Sequence, residues 1–145
     1  MENNELIKEY VIAKTSIQLT NVKLVNSSFT QVLETNDFQP AMSLKYEVKH
    51  ENEKVYGYLH TTIKGLTSTG ELAFNINVTY KGEYVSVTDI DGIDTLMKFA
   101  NIQTVPQLIS YARSHISAIT SQMLQQPIHL PTMDIIESLS KNKGQ

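Results

Sequence analysis

The chain has 145 residues, no cysteine, 19% charged residues and a formal net charge of −3. That length buries a core without staples, and the missing cysteine excludes disulfide frameworks, thiolate zinc sites and cysteine nucleophiles. The acidic balance, with no basic stripe, argues against nucleic acid as a partner. No apolar run reaches the length of a membrane span, so membrane insertion is not expected.

The opening Met1-Glu2-Asn3-Asn4-Glu5 has neither the basic start nor the apolar stretch of a signal peptide, and a cytoplasmic location is expected. Residues 1–5 and 140–145 are expected to fray around a single domain covering 1–145. Loosely alternating β-branched residues predict a first strand from Tyr10 to Val25, with Val11, Ile17, Leu19 and Val22 and a bulge. A connection then runs to Pro40 and carries Phe29 and Phe38. Met42 to His50 reads as a second strand with Leu44, Tyr46 and Val48 on one face, followed by the turn Glu51-Asn52-Glu53.

The third strand spans Lys54 to Lys64. On it Tyr56, Tyr58, His60 and Thr62 lie opposite Val55, Leu59 and Ile63. After a turn bounded by Gly65 and Gly70, Glu71 to Thr88 gives the cleanest period-two pattern, with Leu72, Phe74, Ile76, Val78 and Tyr80 on one face. Gly82 within it suggests a bulge or a bend inside one long strand.

The period then changes. Asp91 is placed to cap a helix from Gly92, with Ile93, Leu96, Met97 and Ala100 on one face. Thr104-Val105-Pro106-Gln107 matches a capping box and predicts a second helix of about five turns, carrying Leu108, Ile109, Ala112, Ile116, Ile119 and Met123. Gln126-Pro127 ends it, and a short last helix is expected from Asp134 to Leu139. Strands followed by helices make the class α+β: a four-stranded antiparallel sheet with helices packed on one face.

Catalytic patterns are lacking. His50, His60, His115 and His129 are scattered, without the helical pairing of a metal site. Asp89, Asp91 and Asp94 read as helix capping in preference to a cation loop. No phosphate loop or serine elbow occurs, so neither an enzyme nor a cofactor or metal is expected. Tyr56 and Tyr58 stand on a mixed face, as in an adaptable binding surface. Met123, Leu124, Ile128 and Leu130 flank the end of the long helix, where methionine adapts to varied apolar partners. A loop folded back on the sheet explains that group equally well.

Pro106-Gln107-Leu108-Ile109-Ser110-Tyr111-Ala112-Arg113 resembles the long helix of the SecB family of export chaperones, with its Tyr-Ala-Arg segment. Pro127-Ile128-His129-Leu130-Pro131 resembles that family's proline-bounded loop. Phe38-Gln39-Pro40 resembles the start of its second strand, Val85-Ser86-Val87 the end of its last strand and Ile90-Asp91-Gly92 the turn into its first helix. The resemblance implies a homotetramer, a dimer of dimers, that holds non-native polypeptide in apolar grooves without ATP. Its clients are unfolded polypeptides or, in toxin–antitoxin–chaperone systems, one antitoxin.

By position the groove would take Phe29, Phe38, Tyr56, Tyr58, Met123, Leu124, Ile128 and Leu130. The oligomer interface would take Ile93, Met97, Tyr111 and Ile116. Export members dock the SecA motor through acids on the sheet and tail. Here Gln18 to Ser28 carries no acid and Lys141-Asn142-Lys143-Gly144-Gln145 is basic. Thr132-Met133 replaces the family's Asn-Phe. These departures weigh against SecA and toward an antitoxin. An adaptor using the same fold for one folded partner is the alternative.

Overall fold

The computed structural model describes residues 2–87, 92–124 and 126–130. The elements are α1 (Glu2–Ser16), β1 (Ile17–Gln31), β2 (Gln39–Glu51), β3 (Lys54–Leu66), β4 (Leu72–Ser86) and α2 (Gly92–Met123). The expected α+β architecture is present: one antiparallel sheet, ordered β1-β4-β3-β2, with α2 packed across one face. The expected Asp89 and Asp91 cap, the helix from Asp134 to Leu139 and the tail fall outside the described residues.

Two boundaries differ from expectation. Residues 10–16 are helical, so the first strand starts at Ile17 and runs on through Phe29 to Gln31. The β-branched Val11 suggested a strand, but it is exposed on α1. Tertiary packing decides the matter: α1 lies mainly against α2 and buries Leu6 and Ala13. The fully buried Gln103 of α2 donates from Nε2 to the Tyr10 carbonyl at 3.3 Å and accepts from Gln107 Nε2 at 2.9 Å.

The second correction is that one helix replaces two. Thr104 does not cap a helix start; its Oγ1 donates backwards to the Ala100 carbonyl at 2.7 Å, and Pro106 sits inside α2. Proline lacks the N–H that would serve the Ile102 carbonyl. The helix continues because its middle is pressed onto the sheet, with Thr104, Val105 and Leu108 buried.

Gly82 is not a bulge either. The register shifts lie in β1, between Leu19 and Asn21 and between Leu24 and Asn26, which leaves Thr20 and Val25 as the extra residues, and at the start of β4, where Ala73 is the extra residue opposite Gly65 and Leu66. Gly82 is the direct cross-strand partner of Gly57 on β3. A Cβ on Gly82 would stand 2.6 Å from Leu19 Cδ1 and 3.2 Å from Leu108 Cδ2. One on Gly57 would collide with the Thr104 hydroxyl and stand 3.0 Å from Tyr84 Cε2. The two glycines form a notch in the middle of the sheet that admits α2.

Tyr84 beside this notch is 1% exposed. Burial pushes its phenol up to about 12; the nearby Thr104 hydroxyl is already donated to the Ala100 carbonyl. Its Oη makes no hydrogen bond among the described residues. An unfolded tyrosine titrates near 10.0, so the folded form holds its proton longer. Its contribution to stability is fully present below about pH 10 and is lost as pH rises toward 12, an effect of roughly 2–3 kcal/mol. Tyr84→Phe should flatten that alkaline loss and cost little at neutral pH, because it removes an unpaired buried hydroxyl. Urea unfolding at about pH 8 and about pH 11 checks both.

Candidate functional site

The chain passes from β1 to β2, at opposite edges of the sheet, through residues 32–38. Their path is fixed at both ends. Val32 and Leu33 N–H groups share the Ala73 carbonyl at 2.7 and 3.0 Å. Ser68 Oγ, in the β3–β4 turn, donates to Asp37 Oδ2 at 3.0 Å, and the Asp37 N–H donates to Thr35 Oγ1 at 3.0 Å. Phe38 then sets its ring edge-on against Phe74 with centroids 4.8 Å apart, while Phe29 stacks on the same Phe74 at 5.7 Å.

The end of α2 lies opposite. Thr120 is buried and its Oγ1 donates to the Ile116 carbonyl at 2.7 Å, then accepts the Ile128 N–H at 2.7 Å. One hydroxyl thereby folds the chain back after the helix.

Between the crossing segment and this corner lies an open cleft of about 560 Å³. Phe38, Met123 and Leu124 supply its apolar surface. Gln31, Glu34, Thr35, Asn36 and Gln126 supply polar edges. Met123 is 49% exposed, and Val32 and Leu33 of the crossing segment are exposed too. Thr35 Oγ1 and Gln31 Nε2 already bond locally, to the Asp37 N–H and the Leu33 carbonyl, so a cleft of this mixed lining accepts an extended chain mainly through an apolar anchor on Phe38, Met123 and Leu124.

The structure thus brings Phe38, Met123 and Leu124 together. Phe29 and Ile128 are half-buried against the core beneath, and Leu130 is 6% exposed within that core. Tyr56 and Tyr58 are elsewhere: β3 turns Val55, Leu59 and Ile63 to α2 and both tyrosines to the other face of the sheet. The polar edge residues had no signal in the sequence beyond a polar stretch between strands.

Of the residues expected at an interface, Tyr111 is exposed, Ile93 and Met97 pack partly buried beside Leu96 and Ala100, and Ile116 is fully buried under the sheet. Three of the four histidines make ordinary polar contacts: His115 with Ser27 at 2.8 Å, His60 with Thr79 at 2.9 Å and Glu47 at 3.2 Å, and His129 with Ser117 at 3.3 Å. The His60 hydrogen bond holds the Glu47 carboxyl below the usual carboxylate range. Among the described residues no helix is long and apolar enough to cross a membrane.

The family described as the histone acetyl transferase HAT1 N-terminus matches residues 12–142. The chain belongs to that family. No curated protein matches it in sequence. Among solved structures it is similar to the Mycobacterium tuberculosis Rv1957 SecB-like chaperone, solved in complex with a ChAD peptide from the Rv1956 HigA1 antitoxin. That match has a TM-score of 0.74 and 8% identity, and covers 88% of this chain and 97% of the other. A Streptococcus agalactiae protein of unknown function aligns over 80% of this chain and 97% of its own, with a TM-score of 0.44 and 9% identity. The likeness to SecB is therefore one of fold, while the sequence family is a different one.

Proposed function

We propose that the chain is an ATP-independent, non-enzymatic chaperone of the cytoplasm. It holds an extended, non-native polypeptide in the cleft between residues 32–38 and the end of α2, for export or for the protection of one antitoxin. The observation that carries this reading is the convergence of Phe38, Met123 and Leu124 in an open cleft. Its support is a fold shared with a SecB-like chaperone that was solved with an antitoxin peptide. A homotetramer built as a dimer of dimers belongs to the same reading.

Each client side chain laid on this floor gains roughly 25 cal/mol per Å² of apolar surface buried. Several weak, non-directional contacts of that kind permit varied clients. Light scattering by an aggregating unfolded protein, with and without this chain and without ATP, tests the reading. Suppression near stoichiometric amounts is expected. Met123→Asp and Leu124→Asp should each weaken capture roughly tenfold, because a carboxylate loses water on entering the filled cleft. Unchanged capture by folded variants removes the cleft from the proposal.

A second reading is favoured by the family match, whose name describes the N-terminal part of a larger enzyme. In it the fold is an adaptor for one folded partner. It predicts no suppression with any unfolded client and a stable complex with one native protein.

A further inference from the structure

The sheet face turned away from α2 has a charge opposite to that of the chain. Cross-strand pairing brings Lys23 to Lys81, Lys45 to His60, Lys49 to Tyr56 and Lys64 to Asn75 on that face, with Lys54 at its end. Its acids are Glu47, Glu51 and Glu83. Glu47 lies 3.6 Å from Lys49 and 3.2 Å from His60, and Glu83 lies 3.4 Å from Lys54. These pairs also engage Lys49 and Lys54, and leave Lys23, Lys45, Lys64 and Lys81 against Glu51, with the exposed Lys49 pair open to exchange for another carboxylate. The remainder of the face is uncharged, with Asn75, Asn77, Thr62 and Ser28 beside the apolar Ala41, Leu66 and Val85. The whole chain carries −3, so this surface is a cationic island.

Tyr56 and Tyr58 organise the island. Lys81 Nζ stands 4.0 Å over the Tyr56 ring and 5.6 Å from the Tyr58 ring, and Lys49 Nζ lies 5.3 Å from the Tyr58 ring. The Tyr58 and His60 rings run parallel at 6.3 Å. Ring faces occupied by ammonium groups are not open platforms for bases to stack on, which nucleic-acid recognition by a sheet requires. The rings restrain the long lysine side chains and lower the entropy lost when those cations meet an anion.

We propose that this face docks an acidic polypeptide segment, a surface separate from the client cleft on the other side of the sheet. Its carboxylates would run across β2, β3 and β4 and pair with Lys49 and Lys81, the cations that the two tyrosines hold in place.

The test is fluorescence anisotropy of a labelled peptide of about twenty residues, rich in Asp and Glu, titrated with the full chain. Binding is expected at low salt and should weaken steeply as salt is raised. Lys49→Glu with Lys81→Glu should lower affinity at least roughly tenfold by reversing both charges. Should that pair fail to fold by circular dichroism, Lys45→Glu with Lys49→Glu, both on the exposed edge strand β2, carries the same test. Absence of binding at low salt, equal affinity in the folded variants, or tighter binding of a single-stranded oligonucleotide of the same length overturns the proposal.

Discussion

Phe74→Ala is expected to destabilise the protein by about 3–5 kcal/mol, the range for removing a large aromatic from a close-packed core. Its ring is 1% exposed, stacks on Phe29, meets Phe38 edge-on and fills the space over its cross-strand partner Gly65. Removing it leaves a void where three elements meet. At a few degrees of Tm per kcal/mol for a chain of this size, the fall should be on the order of 10 °C or more. Because Phe38 also lines the cleft, client capture should decline in the same variant even well below its Tm. Thermal unfolding by circular dichroism, paired with the aggregation assay at low temperature, reads both effects. A small Tm change would mean that the neighbouring rings collapse into the space.

The opposite error, adding volume, is expected at the sheet's central notch. Gly57→Ala places a methyl group against the Thr104 hydroxyl and Tyr84 and should cost about 1–3 kcal/mol by overpacking. Neither neighbour can yield cheaply: Thr104 is fully buried and tied to Ala100, and Tyr84 is buried to within 1%. Thr104→Ala removes the obstructing oxygen, so the double variant should recover part of the loss and show non-additivity in denaturant unfolding. Strict additivity would place the strain elsewhere.

How much of this was legible in the sequence follows from which forces were local. The strict alternation from Leu72 to Tyr80 placed Phe74, Ile76 and Val78 inward, and the pattern around Tyr56 and Tyr58 put them on a mixed face; both hold. Helix α1 was hidden because it exposes Ile7, Val11 and Ile12 and buries only Leu6 and Ala13, a stripe too narrow to announce period 3.6. The capping-box reading at Thr104 failed because Thr-x-Pro-Gln also suits the interior of a helix whose threonine bonds backwards and whose proline is held by packing. Periodicity assigned faces but not neighbours. The expected groove therefore combined Tyr56 and Tyr58 with Phe38 and Leu124, which lie on opposite sides of the sheet. Gln31, Glu34 and Asn36 gained a place in the cleft only through the crossing of residues 32–38, which no local pattern encodes.

The strand order β1-β4-β3-β2 also sets a sequence of events in folding. β2, β3 and β4 follow one another as hairpins with short turns, one of them through Asn52 at a positive φ of 57°. Such neighbours close cheaply and early. β1 comes first in the chain but pairs with the last strand, so it must wait until β4 exists. Residues 32–38 gain their anchor at Ala73 in that same step, and with it the cleft is completed. On the proposed function, a copy that has not yet docked its first strand has no client site and exposes the unpaired backbone edge of β4 and the apolar side chains Ile17, Leu19, Val22 and Phe29 of β1. During that interval the protein is a client for its finished sisters.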